Sequence, residues 1–141
     1  MYSETIDGSG VIITKINADG TNLIYSTVIG GSGFETGMSI AIDDNDNIYI
    51  AGQTTSTDFP TSIGAYDSTY NGGLKDGFVL SVNISGGGLN FSTFIGGSNT
   101  ENVNDIKVDT NYNSYITGGT KSTNFPVTIG SYDDSHNGNE D

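Results

Sequence analysis

The sequence predicts an all-β fold made of repeated four-stranded units, and three observations carry that prediction. Tyr25–Ser32 reads YSTVIGGS and Phe91–Ser98 reads FSTFIGGS, and the same offset of 66 residues recovers matches along most of the chain without a gap. The 21 Gly, many Ser, Thr and Asn, and only 2 Pro supply the left-handed backbone positions that tight hairpin turns demand. Each period also holds four short segments rich in β-branched and aromatic residues, bounded by turn residues.

Taken in order within one period, strand A is expected at Ser39–Ile42, with its copy at Asp105–Val108. Strand B follows at Ile48–Gly52, copied at Ser114–Gly118. The links 43–47 (Asp-Asp-Asn-Asp-Asn) and 109–113 (Asp-Thr-Asn-Tyr-Asn) are short Asx-rich turns, so A and B form a hairpin. Strand C is Phe78–Val82, copied from Ile12–Ile16, and strand D is Leu89–Ile95, copied from Leu23–Ile29. Gly- and Asn-containing links join C to D in both copies. Roughly half of positions 15–72 are identical to their partners, and a fixed period of this kind means stacked supersecondary units.

A four-stranded antiparallel meander repeated at a long period describes the blade of a β-propeller. The run aromatic-Ser-Thr-x-Ile-Gly-Gly, then Asp-x-Asn-x-Asn-x-Tyr-Ile-x-Gly, then Ser-Thr-Asp-Phe-Pro, then Asn-Gly-Gly-x-x-Asp-Gly-Phe-Val resembles the SBBP-type β-propeller repeat. The resemblance covers nearly the whole chain and implies a propeller architecture. It implies little about activity, because such repeats occur in many surface and secreted proteins that share none; an extracellular or surface location is what it favours. Where the family carries Gly before the second Asn of the A–B turn, this chain has Asp46 and Tyr112.

The strands run C, D, then A, B, C, D, then A, B, which divides the chain into a partial blade at 1–30, a complete blade at 31–96 and a partial blade at 97–141. Two blades' worth of strands cannot close a ring of roughly four to eight blades, and an isolated blade exposes unpaired edges and an apolar face. The simplest cover is another copy, with the A–B hairpin of one chain pairing with the C–D hairpin of the next, head to tail. Three chains would complete six blades and four chains eight, and a non-closing rotation would give a filament. The competing reading is a piece of a longer repeat protein.

The net charge of −13 comes from 17 acidic side chains against 4 basic ones, so nucleic acid and acidic membrane surfaces are expected to be repelled. With 0 Cys there is no disulfide framework and no thiolate metal site. No apolar run approaches the roughly 20 residues needed to span a bilayer, and the first ten residues lack the basic and apolar regions of a secretion signal.

Four groups of residues invite a functional reading. Asp43, Asn45 and Asn47 in the A–B turn are oxygen donors in a short segment, as Ca²⁺ requires, although an Asx-stabilised turn explains them too. Glu35 and Glu101 fall at equivalent places in the D–A connections, where a ring would gather them into an annulus of carboxylates able to hold a polar ligand or cation; a solvated loop acid is the bland alternative. The long B–C connections, 54–75 and 120–141, carry Tyr66, Asp67 and Tyr70 in the first copy and Tyr132, Asp133 and His136 in the second. Aromatic rings beside Asp suit sugar binding. Phe59 and Phe125 in the same connections are expected to plug the gap between blades.

Nucleophilic catalysis needs a base beside the nucleophile, and the 1 His, His136, lies in a C-terminal loop. A propeller glycoside hydrolase would need differentiated carboxylates, whereas the acids here are repeated and interchangeable. The expectation is a non-enzymatic, self-assembling propeller module without a cofactor, structural or binding in role. A glycan-binding lectin with sites in or between blades is the alternative.

Overall fold

A computed structural model describes residues 8–83 and 87–135. His136 lies outside the described residues. Among the described residues, regular structure consists of eight strands: β1 (Val11–Ile16), β2 (Leu23–Ile29), β3 (Glu35–Ile42), β4 (Asn47–Thr54), β5 (Asp76–Asn83), β6 (Gly88–Ile95), β7 (Glu101–Val108) and β8 (Ser114–Thr120). They form three antiparallel sheets, β1-β2, β3-β4-β5-β6 and β7-β8. The fold is all-β, and its sheets are those of propeller blades: one complete meander between two half-blades.

The repeat is visible in the irregularities as well as in the strands. The β3–β4 ladder shifts register between Gly37 and Ser39, and the β7–β8 ladder shifts at the equivalent Val103 and Asp105. A bulge adds one residue to one strand and sharpens its twist, so both copies twist at the same point. Ser39 Oγ donates to Asp105 Oδ1 at 2.5 Å, two residues 66 apart in sequence. The first strands of consecutive units therefore run side by side, as inner strands do around a propeller axis.

The complete sheet is the middle layer, which explains its composition. Ile48 and Ile50 on β4 with Phe78, Leu80 and Val82 on β5 pack against Val11 and Ile13 of β1. Tyr49, Ala51 and Val79 point to the other face and pack against Val103 and Ile106 of β7. Side chains alternate faces along a strand, so a strand covered on both sides must be apolar at every position, and Phe78–Val82 reads as a continuous apolar run broken by one buried Ser81. Each such side chain contributes about 1.5–3 kcal/mol on burial.

Both A–B turns close without glycine. Asp46 has φ 62° and Tyr112 φ 68°, left-handed values that cost an ordinary L-residue about 1–2 kcal/mol and that Asp tolerates better than Tyr. Exchange of Asp46 for the β-branched Val is expected to lower stability by about 1–2 kcal/mol more than the same exchange at its neighbour Asp44. Urea midpoints of the two variants check this; equal losses would remove the backbone argument.

Candidate functional site

The most constructed feature of the chain is the joint where each D strand hands over to the next A strand. Glu35 was expected in a loop facing solvent or a channel; it is instead the first residue of β3 and is buried. Its Oε1 accepts from Thr54 Oγ1 at 2.7 Å and from Ser56 Oγ, and its Oε2 accepts from Gly31 N at 3.1 Å. Glu101 corrects the expectation in the same way: it opens β7, is buried, and takes Thr120 Oγ1 at 2.8 Å and Ser122 Oγ at 2.5 Å on Oε1. Glu35, with bonds on both carboxylate oxygens, is satisfied without water, whereas the bonds of Glu101 all fall on Oε1; both acids are buried at the start of a strand and not exposed in a loop.

The doubled Ile-Gly-Gly-Ser motif is the other half of this clasp. Ser32 donates from N and from Oγ to Asp58 Oδ1, each at 2.9 Å, and Gly33 N donates to Ser56 Oγ at 2.8 Å. Ser98 N and Oγ reach Asn124 Oδ1 at 2.8 and 2.9 Å, and Asn99 N reaches Ser122 Oγ at 2.8 Å. A Cβ on Gly31 would stand 2.5 Å from Asp58 Oδ1, and one on Gly97 would stand 2.6 Å from Ser122 Cβ. Glycine is required there because the Ser-Thr-Asp or Ser-Thr-Asn segment lies directly on the turn. Next along that segment, Phe59 stacks on Phe78 with centroids 4.6 Å apart and meets Phe94 at 6.0 Å. Phe125 occupies the same place in the second copy, half-buried at the side of a groove of about 610 Å³ that Ile95, Val103, Ile116 and Gly118 also line.

Residues 24–60 match the family described as the SBBP beta-propeller repeat. This segment is similar to an SBBP β-propeller repeat. The matched span runs from β2 through Pro60 and so takes in the clasp of Gly31, Glu35, Ser56 and Asp58 together with the Phe59 plug. No curated protein matches the chain.

In the SBBP repeat's A–B turn, Asp43, Asn45 and Asn47 do come together, with the carboxylate turned inward on the turn itself. Asp43 Oδ1 accepts from Asn45 N and Asn47 N, both at 2.9 Å, and Oδ2 accepts from Asn47 Nδ2 at 2.8 Å and Tyr49 Oη at 3.1 Å. Asp109 repeats all four bonds with Asn111, Asn113 and Tyr115. Burial raises the Asp43 carboxyl, but the bonds from Asn47, Asn45 and Tyr49 outweigh it and hold the group below its ordinary value. Among the described residues, no group of three or more His, Cys, Asp or Glu could hold a metal ion.

The first B–C connection lies along the free edge of β6. Ser62 N donates to Ser92 O at 3.0 Å and Phe94 N to Asp67 O at 3.0 Å, so the connection covers hydrogen-bonding groups that an exposed edge would offer to other chains. Of the expected sugar-binding set, Tyr66 and Tyr132 are exposed. Asp67 is engaged by Thr69 and by Asn71 Nδ2 at 2.6 Å, and Asp133 by Ser135 N at 3.0 Å and Ser135 Oγ at 2.8 Å. Tyr70 leans edge-on against Phe94 at 6.2 Å and donates to Gly73 O.

One residue outside the expected set proves central. Asp76, the first residue of β5, is 0% exposed; its Oδ2 accepts from Asn71 N at 2.6 Å, while its Oδ1 has no donor among the described residues. Burial first, then the charge of Glu101, pushes its pKa up to about 6. The available signal was the repeat itself, since the position equivalent to Asp76 in the first copy is Gly10.

Proposed function

We propose that this chain is a non-enzymatic β-propeller module that completes its outer blades with further copies of itself, head to tail, and works as a structural or binding component at a cell or particle surface. The observation that carries this reading is a difference in burial between equivalent residues. Phe78 is 0% exposed and its counterpart Ile12 75%; Tyr49 is 5% exposed and Tyr115 60%; Ile106 is 0% exposed and Ile40 55%. These three differences lie where one half-blade lacks its other half.

The β4–β5 ladder supplies the register for the missing joint. Gly52 pairs with Phe78, Ile50 with Leu80 and Ile48 with Val82. Transferred by the repeat, Gly118 of one chain pairs with Ile12 of a second copy, Ile116 with Thr14 and Ser114 with Ile16. Ile12 then enters the groove beside Phe125, in the place that Phe78 holds beside Phe59. On the opposite face Tyr115 covers Ile40 of the second copy, as Tyr49 covers Ile106. The carboxylates of Glu35, Asp43 and Asp109 serve hydrogen bonds within the fold, which supports a role without catalysis, and Ca²⁺ has no part in this reading.

Mass in solution by native mass spectrometry tests the proposal: a discrete trimer or tetramer, or a filament, is expected, and a well-folded single chain at micromolar concentration would overturn it. Glycan binding is the second reading, favoured by the exposed rings of Tyr66 and Tyr132 at equivalent positions. A glycan array on which the wild type gives hits that Tyr66→Ala and Tyr132→Ala lose is expected on that reading; an array without hits removes it.

A further inference from the structure

The joint between the complete blade and β7-β8 holds two buried acids, each with one carboxylate oxygen unsatisfied among the described residues. Asp76 is 0% exposed and Glu101 2%, and among the described residues neither Asp76 Oδ1 nor Glu101 Oε2 has a hydrogen-bond partner. A Cβ built on Gly96 would stand 2.8 Å from Glu101 Oε2 and 3.2 Å from Asp76 Oδ1, so both orphan oxygens border the same small space. The earlier joint is a control within the same molecule. There Gly10 takes the place of Asp76, and Glu35 Oε2 accepts from Gly31 N. Two buried carboxylates side by side cannot both stay ionised at low cost.

We propose that Asp76 and Glu101 share one proton, which joins the complete blade to the following half-blade and makes that joint a pH-sensitive clasp. A single O–H donated from one carboxyl to the other oxygen satisfies both orphans at once. A hard metal ion fits less well, since Ca²⁺ takes about six to eight oxygens and Asp76 Oδ2 and Glu101 Oε1 are already used by Asn71, Thr120 and Ser122.

Beside this pair of β5 and β7 acids stand Asp67 and Tyr70 of the β4–β5 connection: the Asp67 charge helps to raise Asp76, and burial, then the charges of Asp76 and Glu101, raise the Tyr70 hydroxyl. Lys75, next to Asp76 in the chain, gives its ammonium to Gln53 Oε1 at 2.5 Å. A carboxyl held above its ordinary value favours the folded chain while protonated, so this contribution is present in full below about pH 4 and is lost as pH rises through about 6. Asp43, Asp58, Asp67, Asp105 and Asp109, all held below their ordinary value, contribute the opposite dependence at more acid pH.

The test compares the thermal midpoints of wild type, Asp76→Asn and Glu101→Gln between pH 5 and pH 8. An amide mimics the protonated acid: it can accept from Asn71 N and donate to Glu101. The wild type is expected to lose several degrees over this range, and Asp76→Asn to lose much less and to exceed the wild type at pH 8. Parallel losses in both proteins would overturn the proposal. So would recovery of the wild type at pH 8 by Ca²⁺ alone, absent in Asp76→Asn, because the pair would then hold a metal. The carboxyl carbon of Asp76, followed by NMR in the unmodified chain, is expected to titrate near pH 6; a midpoint in the ordinary carboxylate range would refute the shared proton even if the variants fail to fold.

Discussion

Replacement of Ile12 by Asp is expected to turn the assembled protein into single, folded chains. In one chain Ile12 is largely exposed, and surface substitutions of that kind usually change stability by less than about 0.5 kcal/mol. In the proposed joint the same side chain sits against Gly118 and Phe125 of a neighbouring copy, where an unpaired buried charge costs several kcal/mol. The two environments make the result decisive: native mass spectrometry reports the assembly and circular dichroism the fold of each chain. Tyr115→Asp attacks the opposite side of the same joint and is expected to behave alike. Ile12→Phe restores the aromatic that β5 uses at this position and is expected to tighten the assembly. An Ile12→Asp protein that assembles like the wild type would refute the transferred register, whatever the mass of the complex.

Truncation of Phe59 to Ala is expected to lower stability by about 3–5 kcal/mol, the range for large aromatic side chains removed from a packed core. Phe59 is buried against Phe78 and Phe94, both fully enclosed, so the space it leaves has little means of collapse. Phe125→Ala is expected to cost much less under conditions where chains are separate, because Phe125 is only half-buried beside an open groove. Urea denaturation of the two variants measures the difference. Under assembling conditions the Phe125 loss is expected to approach that of Phe59, since a second copy would supply the missing wall. Equal losses in single chains would mean that the groove is already filled.

Much of the clasp was written in the sequence and yet not readable as a clasp. The recurrence of Gly30-Gly31-Ser32 with Ser56-Thr57-Asp58, and of Gly96-Gly97-Ser98 with Ser122-Thr123-Asn124, is plain in the repeat. Nothing in a linear pattern says that Asp58 reaches back to the amide of Ser32, 26 residues earlier. Glu35 and Glu101 were misplaced for the same reason: the β strands begin several residues earlier than their β-branched runs, because the buried partner of each Glu lies on the far end of the neighbouring strand. Asp76 belongs to the Asn-Gly-Gly-x-x-Asp-Gly-Phe-Val run, yet nothing in that run says that it is fully buried or that Glu101 of β7 comes close enough to raise its pKa.

The sequence by itself determined that the chain is all-β, that it is built on a repeat, and that each repeat is a four-stranded meander. Those properties live in local signals, namely side-chain alternation, turn chemistry and the fixed offset, and local signals survive in a linear string. The tertiary structure alone decided which acids are buried, which glycines carry another segment on their backs, and which apolar residues remain uncovered. Burial and hydrogen-bond supply depend on what the neighbouring blade presents, and that neighbour comes from residues tens of positions away.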